Sequence, residues 1–177
     1  MSESNKSTEL KIERGRGCLF KTERCTLSIF DESDYVDAAT LVTNPRVRTF
    51  LGGIREPDSI KASLTDMANP EDGSYYWIVR DIRSKEFIGL VSLDAHHYEQ
   101  AKEISYQLLP KWWGSGYATE AVAKIIDYAL SELNLPAIVA ETQSANTASC
   151  RLLEKLGMKL ERKVIRFGAE QSIYSIR

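Results

Sequence analysis

Apolar and polar residues alternate over Cys25–Phe30 (CTLSIF), the pattern of a half-buried strand. Asp31 and Ser33 follow as caps, predicting a helix over roughly Ser33–Val42 that ends before Asn44-Pro45. Arg46–Leu51 reads as a further short helix closed by Gly52-Gly53. Asp58 or Ser59 starts another, which runs to about Met67 and stops at Asn69-Pro70. Three strands come next, Tyr75–Arg80, Phe87–Asp94 and Glu103–Leu109. Their polar links, Asp81–Glu86 and Tyr98–Lys102, are short enough to predict an antiparallel meander.

The period then changes. From Tyr117 to Leu133 apolar residues fall three and four apart (Ala118, Val122, Ile125, Ile126, Ala129, Leu130, Leu133), which marks an amphipathic helix. Asn134-Leu135-Pro136 breaks it, and Ala137–Thr142 reads as a buried strand. Asn146 opens a second helix with Ala148, Leu152, Leu153 and Leu156 on one face and Gly157 just past its end. Strands over about Leu160–Phe167 and Ser172–Ile176 flank a turn at Gly168. The strand–helix–strand unit at Glu103–Thr142 implies parallel pairing there and antiparallel pairing around it. The fold class is therefore α/β (α+β): a mixed, mostly antiparallel sheet of about seven strands with helices on both faces.

Composition narrows the function more by exclusion than by assignment. A chain of 177 residues with 43% apolar and 27% charged content is ordinary for one globular domain, here expected over 21–177. Residues 1–20, rich in Ser, Glu and Lys, are expected to be a flexible tail; they lack the apolar core of a secretory signal. A net charge of −2 offers no field for nucleic acid or anionic lipid, and no stretch reaches the ~20 apolar residues of a membrane span. Cys18, Cys25 and Cys150 have neither metal-ligand spacing nor an even count, which predicts reduced thiols and a cytoplasmic setting. His96 and His97 are expected on an exposed hairpin edge, with no metal site.

The chemistry concentrates in Leu109–Thr119, where a strand passes to a helix through Gly114 and Gly116. Glycine permits the tight turn and lets the backbone approach a ligand. The helix start then presents N–H groups without intrahelical partners and the positive end of its dipole, an arrangement suited to phosphate. A tight connection that binds nothing has the same glycines. A P-loop would need Gly-Lys-Ser/Thr, and here the residues are Gly-Tyr-Ala-Thr. A dinucleotide fingerprint would need a small residue where Thr119 stands, although Glu141 sits near the position of a ribose-binding acid.

The run Glu103–Pro110 (EISYQLLP) followed by Trp113–Ala121 (WGSGYATEA) resembles the GNAT acetyltransferases, most closely their ribosomal-protein N-terminal (RimJ/RimL-type) branch. Asn146–Met158 (NTASCRLLEKLGM) is similar to that branch's Asn-x-x-Ser helix. Ser105 and Met158 depart from it, standing where the branch often has Gly and an aromatic. The resemblance covers about Lys21 to the C-terminus and implies a GNAT-like fold and acetyl-CoA as cosubstrate. It implies a primary amine as acceptor, either a protein N-terminus or a small molecule, attacking directly in a ternary complex. A homodimer is compatible with it.

The cofactor-binding set is Leu108, Leu109, Gly114, Ser115, Gly116, Tyr117, Ala118, Thr119 and Asn146. The resemblance implies that a bulge at Leu108–Leu109 splays the strand, freeing backbone groups for the pantetheine arm. It also implies that Asn146 bonds that arm, though an N-cap role alone would justify this residue. An alkyl amine is mostly protonated at neutral pH, so a base helps. Glu103 is the candidate, directly or through water, against the alternative of an exposed strand-edge carboxylate. Ser149 is the candidate proton donor to the departing thiolate, against a purely local helix-start role. Trp112 and Trp113 could shape the cofactor groove, although two aromatics beside a turn are more often core. Tyr75, Tyr76 and Trp77 read as sheet packing, although the resemblance implies that strands in that region line the acceptor site. Two other classes stay open: an acyl-CoA-binding module without catalysis, and a dinucleotide-binding domain.

Overall fold

The computed structural model describes residues 18–70, 73–96 and 100–177. Among these described residues eight strands form one sheet: β1 (Cys18–Lys21), β2 (Cys25–Ile29), β3 (Tyr75–Asp81), β4 (Phe87–Ala95), β5 (Lys102–Leu108), β6 (Ile138–Gln143), β7 (Lys159–Arg166) and β8 (Ala169–Ile176). Four helices accompany them: α1 (Tyr35–Thr43), α2 (Pro57–Ala68), α3 (Tyr117–Ser131) and α4 (Thr147–Lys155). The spatial order is β1-β2-β3-β4-β5-β6-β8-β7, antiparallel throughout except for β5 beside β6. A crossover connection accounts for the exception, since α3 carries the chain from β5 back to a parallel β6. The sequence pattern missed β1. It is four residues long and follows a polar stretch, so it has too few positions to show a period.

Strand alternation sends neighbouring residues into two cores. Trp77 and Val79 join Ile104, Val122, Ile125, Ile138 and Leu153 beneath α3 and α4, whereas Ile78 joins Phe30, Leu41, Leu64 and Leu90 beneath α1 and α2. The β3–β4 register skips at Ile88, between Val79↔Gly89 and Arg80↔Phe87, which lets Ile88 and Val91 share a face. At Gly89 a Cβ would lie 2.1 Å from the Gln107 carbonyl oxygen, so only glycine lets β5 lean so close.

The feature that positions the site is how briefly β5 and β6 pair. Only Lys102↔Ile138 and Glu103↔Val139 are in register, and beyond them the strands diverge. By contrast, β5 stays in register with β4 from Lys102 to Leu108. The expected irregularity therefore lies one strand over, at Ile88 in β4, and the gap opens on the β6 side. Among the described residues no helix is long and apolar enough to cross a membrane.

Candidate active site

The divergence leaves a groove of about 690 Å³ between β5 and β6. Its walls bring together Leu108, Gly114, Gly116, Ala118, Thr119, Asn146 and Ser149 from the sequence-derived set. Glu103, Leu109, Ser115 and Tyr117 lie outside that wall.

At one end stands the loop before α3. Gly114 and Gly116 have φ of 73° and 85°, a region that suits glycine and strains other residues. Gly116 is the N-cap and supplies no side chain, and the first intrahelical bond is Glu120 N–H to the Gly116 carbonyl. The N–H groups of Tyr117, Ala118 and Thr119 therefore remain for a ligand, at the positive end of a 15-residue helix. Glu120 would put a negative charge beside that site, but its carboxylate is taken up elsewhere. It accepts from the Thr22 hydroxyl, from Arg24 N–H at 2.7 Å and from Arg24 Nε at 2.8 Å. Burial works against its charge, but these donors hold its pKa below the usual value. Arg24 also donates to the Ser115 carbonyl at 2.8 Å and lies 4.3 Å over the Tyr117 ring. The β1–β2 turn thus braces the loop from behind, through the Ser115 carbonyl and the Tyr117 ring.

Along β5 the backbone is only partly available. Leu109 N–H donates to Ile88 and its carbonyl accepts from Trp112 N–H, so the Leu109 backbone is committed to the fold. That bond also fixes the alternation: the N–H groups of Tyr106 and Leu108 point toward the gap, where β6 has left the ladder. The Leu108 carbonyl accepts from Trp113 Nε1 at 2.7 Å. Trp113 is thus no core residue; it is 44% exposed and forms groove wall. Trp112 also lines the groove, with its indole bonded to the Phe87 carbonyl.

In the middle of the groove Ser149 Oγ meets the Tyr106 hydroxyl at 2.7 Å. Burial pushes the Tyr106 phenol up to about 12, so it stays protonated at neutral pH. Asn146 accepts from Ser149 N–H at 3.2 Å, the N-cap role read from the sequence. Tyr106 was not legible as a site residue, because strand alternation alone does not reveal which tyrosine meets α4.

Glu103 lies at the apex, 3.5 Å from Ser105 Oγ, with Asp94 directly across on β4. His96 contradicts its expected exposure. Its side chain is 1% exposed and its Nε2 lies 2.9 Å from Glu141 Oε2, which also accepts from Arg166 at 2.9 Å. The His96–Glu141 contact holds the end of β4 against β6. His97 lies outside the described residues. Among the described residues no cluster of His, Cys, Asp and Glu could hold a metal.

An open helix N-terminus, a gap with free strand N–H groups and a hydroxyl pair beyond them suit a long ligand with an anionic end. The acetyltransferase (GNAT) domain model matches residues 24–159. The chain belongs to the GNAT acetyltransferase family. It is accordingly an acyltransferase enzyme, from a family that uses acetyl-CoA. It is 27% identical to YkkB of Bacillus subtilis (strain 168), an uncharacterized protein, over 86% of this chain and 92% of that one. An acetyltransferase from Agrobacterium tumefaciens C58 superposes with a TM-score of 0.78 at 27% identity, covering 89% and 93% of the two chains. Spermidine N-acetyltransferase from Vibrio cholerae, solved with CoA and spermine, shares the fold with a TM-score of 0.76 at 20% identity, covering 88% and 96%.

Proposed function

We propose that this acetyltransferase moves an acetyl group from acetyl-CoA to a primary amine by direct attack within a ternary complex. The observation that carries this reading is the groove, which passes between the strands and so reaches both faces of the sheet. Tyr106 and Ser149 stand on the α3–α4 side, and Ser105 and Gln107 stand on the other. Donor and acceptor can then enter from opposite sides and meet in the gap.

Bound acetyl-CoA supplies an activated thioester. The N–H groups of Tyr117, Ala118 and Thr119 hold its pyrophosphate, with Arg46 and Lys155 adding positive charge in the wall. The gap-facing N–H groups of Tyr106 and Leu108 hold the pantetheine arm and stabilise the developing oxyanion. When Tyr106 donates to Ser149 Oγ, the serine's own hydrogen is free to reach the departing sulfur. Glu103 takes the proton of the amine through water or the Ser105 hydroxyl, since it does not itself form the wall. We assign the acceptor to the range served by the RimJ/RimL-type branch, a protein N-terminus or a small amine, on the motifs Trp113–Ala121 and Asn146–Met158.

Thermal unfolding with acetyl-CoA, with NAD and with neither tests the first step. A ligand at a hundred times its Kd adds about 2.7 kcal/mol, roughly 5–10 °C in Tm for a chain of this size. The expected result is a shift with acetyl-CoA alone, followed by release of free CoA thiol when an amine panel is added. No shift at millimolar acetyl-CoA would refute the reading.

A further inference from the structure

The gap between β5 and β6 is widest where the two strands end, at Leu108 and Gln143. A segment from outside the sheet crosses that end. It is the short 3-10 turn Val47–Phe50 in the link between α1 and α2, and Val47, Thr49 and Phe50 line the groove. On the β5 bank Val47 is buried in the core beneath α1 and α2. There too the Arg46 guanidinium lies 5.1 Å over the Trp113 ring, whose Nε1 is bonded to the Leu108 carbonyl. On the β6 bank Gln143 Nε2 donates to the Phe50 carbonyl at 3.1 Å, across 93 residues of chain.

The turn is stiff in itself. Asn44 Oδ1 accepts from the N–H groups of Arg46 and Val47 at 3.0 and 3.3 Å, and Arg48 Nε donates to the Gly53 carbonyl at 2.8 Å. A tie at its far end therefore governs the turn as a unit. Four residues at a 3-10 rise of about 2 Å cover roughly 8 Å, against about 4.8 Å between paired strands. The turn is thus long enough to bridge strands that have left the ladder. Alternation along β6 puts Gln143 on the face of Val139, which lies beside Glu103, so the bridge crosses on the side where Glu103, Ser105 and Gln107 stand. Gln143 itself lies outside the groove wall.

We propose that Gln143 is a positioning residue for acetyl transfer. Through Phe50 it fixes the Val47–Phe50 turn across the open end of the gap, and so sets the width within which the acceptor meets the thioester. The inference rests on the acetyl-transfer reading and deepens it. Gln143 touches neither substrate; it acts through the turn, and proton transfer stays with Glu103 and Ser149.

Gln143→Leu removes the donor, and Gln143→Lys keeps an N–H of similar reach. Amide exchange without substrate reads the tie directly. Exchange in Val47–Phe50 should quicken in Gln143→Leu and return toward wild type in Gln143→Lys, with α1 unchanged. Steady-state kinetics with the best of butylamine, spermidine and an alanyl peptide reads the consequence. Amine KM should rise about fivefold in Gln143→Leu, equivalent to ~1 kcal/mol, while kcat and the KM for acetyl-CoA stay within about twofold. Gln143→Lys should recover most of the loss. A merely structural bond would lower Tm and leave amine KM where it is, and that result would overturn the proposal. So would exchange in Val47–Phe50 that is the same in Gln143→Leu and wild type. A wild-type protein that binds no acetyl-CoA would instead sink the acetyl-transfer reading, and the exchange comparison would still decide for or against the tie.

Discussion

Tyr106 and Ser149 divide one task between two hydroxyls. The phenol is held protonated by burial, so it can donate to Ser149 Oγ as the serine hydrogen passes to the sulfur. A thiol with a pKa near ~8.5 leaves readily, so Ser149→Ala is expected to lower kcat by roughly tenfold or less. Tyr106→Phe should lower it by a smaller factor, with KM for acetyl-CoA little changed in both; steady-state kinetics checks this. Asp81 makes a prediction of a different kind. Its carboxylate accepts from Ser84 N–H, the largest cause, and from Tyr117 and Arg83, which together lower its pKa from 3.8 to about 2. A depressed acid stabilises the fold above its unfolded value and loses that contribution as pH falls through the folded one. Urea unfolding between pH 5 and pH 2 should therefore show a decline that Asp81→Asn makes shallower. Of these residues the sequence exposes Ser149 through its helix motif, whereas Tyr106 and Asp81 depend on contacts made far along the chain.

Among the elements, α3 with its loop was the most legible. The two glycines, the strand before them and the helical period after them are all local signals, and the observed helix begins at Tyr117 as read. What the local pattern does not carry is the brace. Glu120 and Arg24 are 96 residues apart, and nothing in either neighbourhood announces their pairing. Glu120→Ala strands three donors and is expected to cost about 1–3 kcal/mol, read as a lower Tm. Gly116→Ala forces a side chain into φ of 85° and brings its Cβ to 3.2 Å from the Arg24 guanidinium. About 1–2 kcal/mol of strain should appear in Tm, together with weaker acetyl-CoA binding in calorimetry. Gly114→Ala shares the strain without the contact, so it should leave Arg24 in place and lose less.

At the scale of the whole molecule the sheet order followed from the sequence only in part. The meander and the β5–α3–β6 crossover were readable because short links and a crossover helix constrain pairing. The burial of His96 against Glu141 and the swap of β7 and β8 were not, since both are decided by which strands meet after collapse. The widest consequence belongs to the two register pairs that join β5 to β6. The sheet is in effect two leaves, β1 to β5 and β6-β8-β7, sewn together by a seam two residues long. A ligand lodged in the opening would act as a second row of stitches. Amide exchange should then slow on binding acetyl-CoA mainly in the smaller leaf, along Ala169–Ile176, and hardly at all in β3 and β4. The enzyme would gain its stiffness from the substrate that it is about to consume.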